Sequence, residues 1–232
     1  MAAWFSSRKT LAPQDAYVLW AASYPPRPHN ALMEIEQAIV SQLIAARRPK
    51  RALDVGTGSG RYLPLLAATG ARLVVGLDLS QPMLSQHADG LPRLCGDACR
   101  LPLRSASFDL VTASLMVGDV EHLDGWVGEV SRVVAPGGHV IYSDFHPSWA
   151  AERWRRTFRA ADGRQRDVAY FPHEIAEHVD CLEREGFEIK VVREPRLATP
   201  RRVSTGSGRR DMPVVAIFHA VKGSGQALER RS

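Results

Sequence analysis

The chain has only three cysteines, Cys95, Cys99 and Cys181, and no Cys-x-x-Cys pair. So few, and an odd number, exclude a disulfide framework and give no zinc pattern. A reducing, cytoplasmic compartment is the expectation. Nothing approaches the roughly 20 consecutive apolar residues that cross a bilayer, so no membrane span is expected. There is no internal repeat. Low complexity is confined to a polar Gly- and Arg-rich tail from Gly223 and a similar loop at 200–212. The first 14 residues carry Arg8 and Lys9 and no acid, but no apolar core of secretory type follows. A short disordered terminus is the better reading than a targeting segment.

What is present is the composition of a globular protein: 45% hydrophobic and 24% charged over 232 residues. That is enough to bury a large core without disulfides or structural metals. The net charge of +5 is unevenly spread. Arg153, Arg155, Arg156, Arg159, Arg164 and Arg166 fall within 14 residues, and six more arginines lie between Arg193 and Arg210. Localised positive charge points to an anionic partner.

Short, mostly non-alternating apolar runs predict strands at Arg51–Val55, Leu73–Asp78, Arg93–Asp97, Phe108–Ser114 and His139–Asp144. Such runs suit strands buried on both faces of a parallel sheet. Helical segments are expected at Ala31–Ala46, on a stripe of Leu32, Ile35, Ile39 and Leu43, and at Arg61–Ala68, Pro82–Ala88 and Leu123–Val134. Strand alternating with helix means an α/β, Rossmann-like doubly wound sheet. The arginine-rich stretch at about 145–170 has no clear period. Beyond it a helix is expected at about His173–Glu185, then strands Phe187–Glu194 and Val214–Val221 joined only by a loop. These can pair as an antiparallel hairpin, which makes seven strands, mostly parallel.

The first strand runs into Leu53-Asp54-Val55-Gly56-Thr57-Gly58-Ser59-Gly60-Arg61. The glycines permit a tight turn and close backbone approach to a ligand. This is not the GxGxxG of dinucleotide sites, because Arg61 occupies the sixth position. Asp54 before the glycines also suits a ligand with a positive end better than a pyrophosphate. Asp78 closes the second strand, 18 residues after Gly60, where a carboxylate can accept ribose hydroxyls. Gly96-Asp97-Ala98 follows the third, where a carboxylate and the next N–H can read an adenine edge.

This ordered series, with Ser107-Phe108-Asp109-Leu110-Val111 and Arg132-Val133-Val134-Ala135-Pro136-Gly137-Gly138 after it, resembles the class I S-adenosylmethionine-dependent methyltransferases over about residues 50–145. The resemblance implies S-adenosyl-L-methionine as cofactor. Asp54 and the Gly56, Thr57, Gly58 and Gly60 loop would hold its methionine part, and Asp78 with Leu79 the ribose. Asp97 and Ala98 would meet the adenine, and Ser114 and Leu115 would flank the sulfonium methyl. It also implies an N-terminal helical cap at 1–48, a methyltransferase domain at 49–222 with a lid insertion at about 145–172, and a flexible tail at 223–232.

The Asp/Asn-Pro-Pro-Tyr/Phe box of many base and amide N-methyltransferases is missing after the fourth strand, which reads Thr112-Ala113-Ser114-Leu115-Met116-Val117. Within the family the chain is most similar to the small-molecule group of ubiquinone/menaquinone type, and there to the malonyl-acyl-carrier-protein O-methyltransferases. That implies O-methylation of a carboxylate oriented by an arginine, with Arg153, Arg155 and Arg156 as candidates, and an acyl-carrier protein as partner. Tyr24 is the expected cover of the cofactor, and His146 a candidate base. C-methylation of a quinone-type ring is the alternative. An RNA-associated role is the reading from another class, though no RNA-binding module is recognisable and nucleic acid is disfavoured as a partner. No metal is expected: the His173-Glu174…Glu177-His178 cluster is read as an exposed helix face.

Overall fold

The structure, a computed structural model, describes residues 9–86, 90–152, 154–197 and 212–224. Its elements are β1 (Thr10–Leu11), α1 (Pro13–Trp20), α2 (Ala31–Ala45), β2 (Arg51–Val55), α3 (Leu63–Ala67), β3 (Leu73–Asp78), α4 (Gln81–Leu84), β4 (Arg93–Cys95) and β5 (Phe108–Ser114). There follow α5 (Leu123–Val133), β6 (Val134–Phe145), α6 (Ser148–Ala151), β7 (Arg156–Arg159), β8 (Gln165–Val168), α7 (Ile175–Arg184), β9 (Phe187–Arg193) and β10 (Val215–Lys222). Short 3-10 turns occupy Ala21–Ser23 and Val117–Asp119.

Seven strands form one sheet in the order β4-β3-β2-β5-β6-β10-β9. The first five are parallel, and β10 runs antiparallel to both β6 and β9. The α/β, Rossmann-like, mostly parallel architecture expected from the sequence is the one observed. The C-terminal hairpin goes in β10 first, so β9 lies at the sheet edge.

Alternate residues of the central strands feed two apolar layers. Leu53 and Val111 join Trp126, Val127 and Val130 of α5 and Leu182 of α7 on one face. Ala52 and Leu110 join Val40 and Ile44 of α2 and Leu63 of α3 on the other. Trp126 and Val130 are fully buried, each worth roughly 1.5–3 kcal/mol.

The helix α2 begins at Asn30, whose side chain accepts the Met33 N–H at 2.9 Å, an N-cap bond. Its buried face is turned about one residue from the expected stripe. Leu32, Met33, Glu36, Val40 and Ile44 are buried, whereas Ile35, Ile39 and Leu43 are only half so. The arginine-rich stretch also holds more structure than its pattern suggested. Hairpin β7–β8 pairs with β1 in a separate three-stranded sheet, packed by Leu11, Ala16, Phe158, Ala160 and Val168. Arg153, the end of the expected 82–88 helix, four of the six arginines between Arg193 and Arg210, and most of the tail lie outside the described residues.

Candidate functional site

The sheet reverses direction of winding between β2 and β5, and ligands of open α/β sheets bind beyond the carboxyl ends of strands at that switch point. Asp54, Asp78, Cys95 and Ser114 all stand at or next to those ends. A cavity of about 620 Å³ opens there, within the roughly 300–1,000 Å³ typical of ligand pockets.

The glycine loop shapes its floor. Gly56 and Gly58 have φ of +66° and +56°, values that side chains seldom tolerate. A Cβ on Gly56 would come within 2.6 Å of the Met116 side chain. The loop is tied to β3, where the Asp78 carboxylate accepts the Gly58 N–H at 2.7 Å and the Ser80 N–H at 2.8 Å. Those bonds fill two of about four lone-pair positions, so the carboxylate keeps capacity for hydroxyls of a bound ligand. Burial raises the pKa of Asp78. Asp97 folds the next turn by accepting the Cys99 N–H at 2.8 Å.

Of the residues expected around the cofactor, Gly56, Thr57, Gly58, Asp78, Leu79, Asp97, Ala98, Ser114 and Leu115 line this cavity. Two do not. Asp54 lies beneath the loop, 2% exposed, and accepts the Thr112 hydroxyl at 2.6 Å. Burial moves its pKa up to about 6. Gly60, at φ +91°, closes the loop through its N–H to the Thr57 carbonyl. Their place is in holding the turn rather than in the wall.

Leu115 takes a left-handed conformation, φ +56°, its N–H meeting the Ser143 carbonyl at 2.9 Å and hydroxyl at 3.2 Å. A second cavity of about 690 Å³ adjoins the first, and Tyr17, Tyr24, Met33 and Leu115 line both. Its other walls include Trp20, Phe145, Trp149, Trp154, Leu197 and Val214. Burial raises the pKa of Tyr24 and, further, of Tyr17, so both phenols stay protonated at neutral pH and donate rather than abstract a proton.

Two expectations are corrected, at His146 and at the His173–His178 cluster, while Arg155 and Arg156 both border the second cavity. His146 does not line either cavity. Its Nδ1 meets Ser148 Oγ at 2.7 Å and its Nε2 meets Glu194 Oε2 at 2.8 Å, so it ties the end of β6 to the chain after β9. Arg156 reaches the second cavity but is engaged, since its guanidinium donates to Asp119 and to the Tyr17 hydroxyl. Arg155 also borders that cavity, its side chain 66% exposed and paired with Asp167 at 2.9 Å. Finally, His173 and His178 are buried rather than on an exposed face. Burial lowers the His178 pKa to about 3, and Glu174 and Glu177 form a capping box for α7. No group of three or more His, Cys, Asp or Glu placed to hold a metal occurs among the described residues.

Sequence reasoning gave no role to Asp119 or Glu36. Glu36 is fully buried and accepts the Tyr62 hydroxyl at 2.8 Å and the Ser143 hydroxyl at 2.7 Å. The signal was available: an acid spaced four and four from Leu32 and Val40, on the buried face of α2.

Residues 53–142 match the family model described as a methyltransferase domain. Over 147 residues the chain is 33% identical to the malonyl-[acyl-carrier protein] O-methyltransferase of Methylococcus capsulatus, covering 58% of this chain and 53% of that protein. It is 36% identical over 118 residues to the demethylmenaquinone methyltransferase of Streptomyces avermitilis, covering 49% and 51%. The chain thus matches about half the length of these relatives. The fold matches that of an S-adenosylmethionine-dependent methyltransferase from Mesorhizobium loti, with TM-score 0.64, 24% identity, and coverage of 83% and 100%. The glycine cradle, the strand-end Asp78 and the turn at Asp97 fit a nucleoside with an amino-acid tail. Residues 53–142 thus carry a methyltransferase domain, on the fold of S-adenosylmethionine-dependent methyltransferases, whose cofactor is S-adenosyl-L-methionine.

Proposed function

We propose that this protein transfers the methyl group of S-adenosyl-L-methionine to a small acceptor seated in the second cavity, and that the acceptor presents a ring or alkyl body to the aromatic walls. The observation that carries this reading is the shared partition: Tyr17, Tyr24, Met33 and Leu115 border both spaces. Bound S-adenosyl-L-methionine supplies an electrophilic methyl, and the protein's part is orientation and exclusion of water. Asp78 would accept from the ribose hydroxyls, Asp97 and Ala98 would meet the adenine, and the Leu115 turn would border the reacting end. Tyr24, protonated at neutral pH, positions the acceptor by donating a hydrogen bond.

The aromatic wall of Trp20, Phe145, Trp149 and Trp154 favours a ring-bearing acceptor over a free carboxylate. Arg156 is engaged by Asp119 and Tyr17, and Arg155 by Asp167. A carrier-bound acid is the second reading, favoured by exposed Arg155, Arg159 and Arg164 on the hairpin and by relatives that methylate malonyl-acyl-carrier protein. The test is incubation with methyl-labelled cofactor and separate pools of quinol or phenol rings, free acids and acyl-carrier thioesters. Label in the ring pool is expected. Label confined to the carrier pool would establish the second reading, and cofactor binding without label in any pool would refute both.

A further inference from the structure

We infer that His29 is the general base of the second cavity, and that the acceptor is a ring bearing a free hydroxyl, a phenol, whose oxygen takes the methyl group. The inference rests on the reading of that cavity as the acceptor site. A phenol ionises near pH 10, so only about one in 10³ is the nucleophilic phenolate at pH 7. A ring hydroxyl therefore needs a neighbour that accepts its proton, a contribution of roughly 10²- to 10⁴-fold in rate.

The titratable or charged groups bordering the cavity are Tyr17, Tyr24, His29, Glu152, Arg155 and Arg156. Burial holds the two tyrosine phenols protonated. The two guanidiniums, paired with Asp167 and Asp119, have no lone pair to offer a proton. Carboxylates are ordinarily weaker bases than imidazole, which sets His29 ahead of Glu152.

His29 also has its nitrogens available. Among the described residues they have no hydrogen-bond partner, whereas both nitrogens of His146 are taken. The His29 ring meets Trp20 and Tyr24 edge-on, with ring centres 6.5 and 6.1 Å away and planes at 78° and 79°. Tyr24 borders both cavities, so His29 stands next to the partition the methyl group must cross, on the acceptor's side. Pro25, Pro26 and Pro28 stiffen the chain leading to it, and the following residue, Asn30, is fixed as the N-cap of α2. The residue is exposed, which gives a captured proton a way out to water.

A ring nitrogen of His29 takes the hydroxyl proton while Tyr24 donates to the same oxygen. That oxygen bonds to the methyl carbon, the carbon–sulfur bond breaks, and its electron pair stays on sulfur. His29 then releases its proton to solvent.

The test uses the full chain with 1-naphthol and 4-nitro-1-naphthol, the second of which is already ionised at pH 8. His29→Gln should lower kcat/KM for 1-naphthol about 100-fold at pH 7 and flatten the acid limb of the wild-type pH profile, where imidazole gains its proton. Calorimetry should show S-adenosylhomocysteine bound as tightly as by wild type. On 4-nitro-1-naphthol at pH 8 the same variant should lose less than about fivefold, because no proton is left to remove. An equal loss on both naphthols, or an acid limb that persists in the variant, would overturn the inference. Wild type that binds S-adenosylhomocysteine but methylates neither naphthol would refute the ring reading itself, and the inference with it.

Discussion

Arg156→Met is the perturbation whose cost follows most directly from the structure. Arg156 and Asp119 have side chains only 12% and 13% exposed, and the same guanidinium donates to Tyr17 and lies 5.0 Å from the Phe145 ring centre. The pair joins the β7–β8 hairpin, helix α1 and the turn at Val117–Asp119 that borders the first cavity. Two charges about 4 Å apart attract by roughly 4 kcal/mol at an effective dielectric near 20. Removing one partner of a buried pair costs about 3–5 kcal/mol, because the other is left uncompensated. Methionine retains much of the apolar stem, so the loss is mainly electrostatic. It is also capped, since Asp119, whose pKa burial already raises, can take up a proton once the arginine is gone. A more strongly raised folded pKa is a penalty that grows as pH rises from the unfolded value. The deficit should therefore be small near pH 5 and approach about 3 kcal/mol at pH 8. Urea unfolding of wild type, Arg156→Met, Asp119→Asn and the double variant measures this, with the double variant recovering much of the loss. A deficit below about 1 kcal/mol at pH 8, or one that adds simply to that of Asp119→Asn, would refute the reasoning.

Asp78→Ala removes the carboxylate that organises Gly58 and Ser80 and faces the cavity. S-adenosylhomocysteine affinity should fall about 10- to 100-fold in calorimetry, by the loss of roughly 1.5–3 kcal/mol; an unchanged Kd would place the ribose elsewhere. Asp144, 1% exposed, has its pKa pushed up to about 7 by burial. The native state thus holds a proton that the unfolded chain has lost between about pH 4 and 7, and this group subtracts up to ~1.4 kcal/mol of stability per pH unit across that window. Asp144→Asn should gain on wild type in urea midpoint from pH 5 to 7 and hold its advantage above; a constant difference across the range would show that the group does not titrate there.

The parallel core was legible because its strands are buried on both faces and read as apolar runs, and Arg51–Val55, Leu73–Asp78 and Phe108–Ser114 form as the sequence suggested. The glycine loop was legible because its chemistry is local. The small β1-β8-β7 sheet was not, since its strands are two to four residues long and β1 reaches β8 across more than 150 residues of chain. His146 misled for a related reason: its place after β6 suggested a site, while its partner Glu194 arrives 48 residues later. Tyr17, Asp119 and Arg156 meet from three separate segments, and no local pattern announces such a meeting.

The central claim is tested most directly by calorimetric titration of the intact chain with S-adenosylhomocysteine, beside NAD as a control. One site per chain with micromolar affinity, and no response to NAD, is the result the structure leads us to expect. Absence of binding by S-adenosylhomocysteine would contradict the account, leaving the fold in place and its glycine loop without the ligand assigned to it.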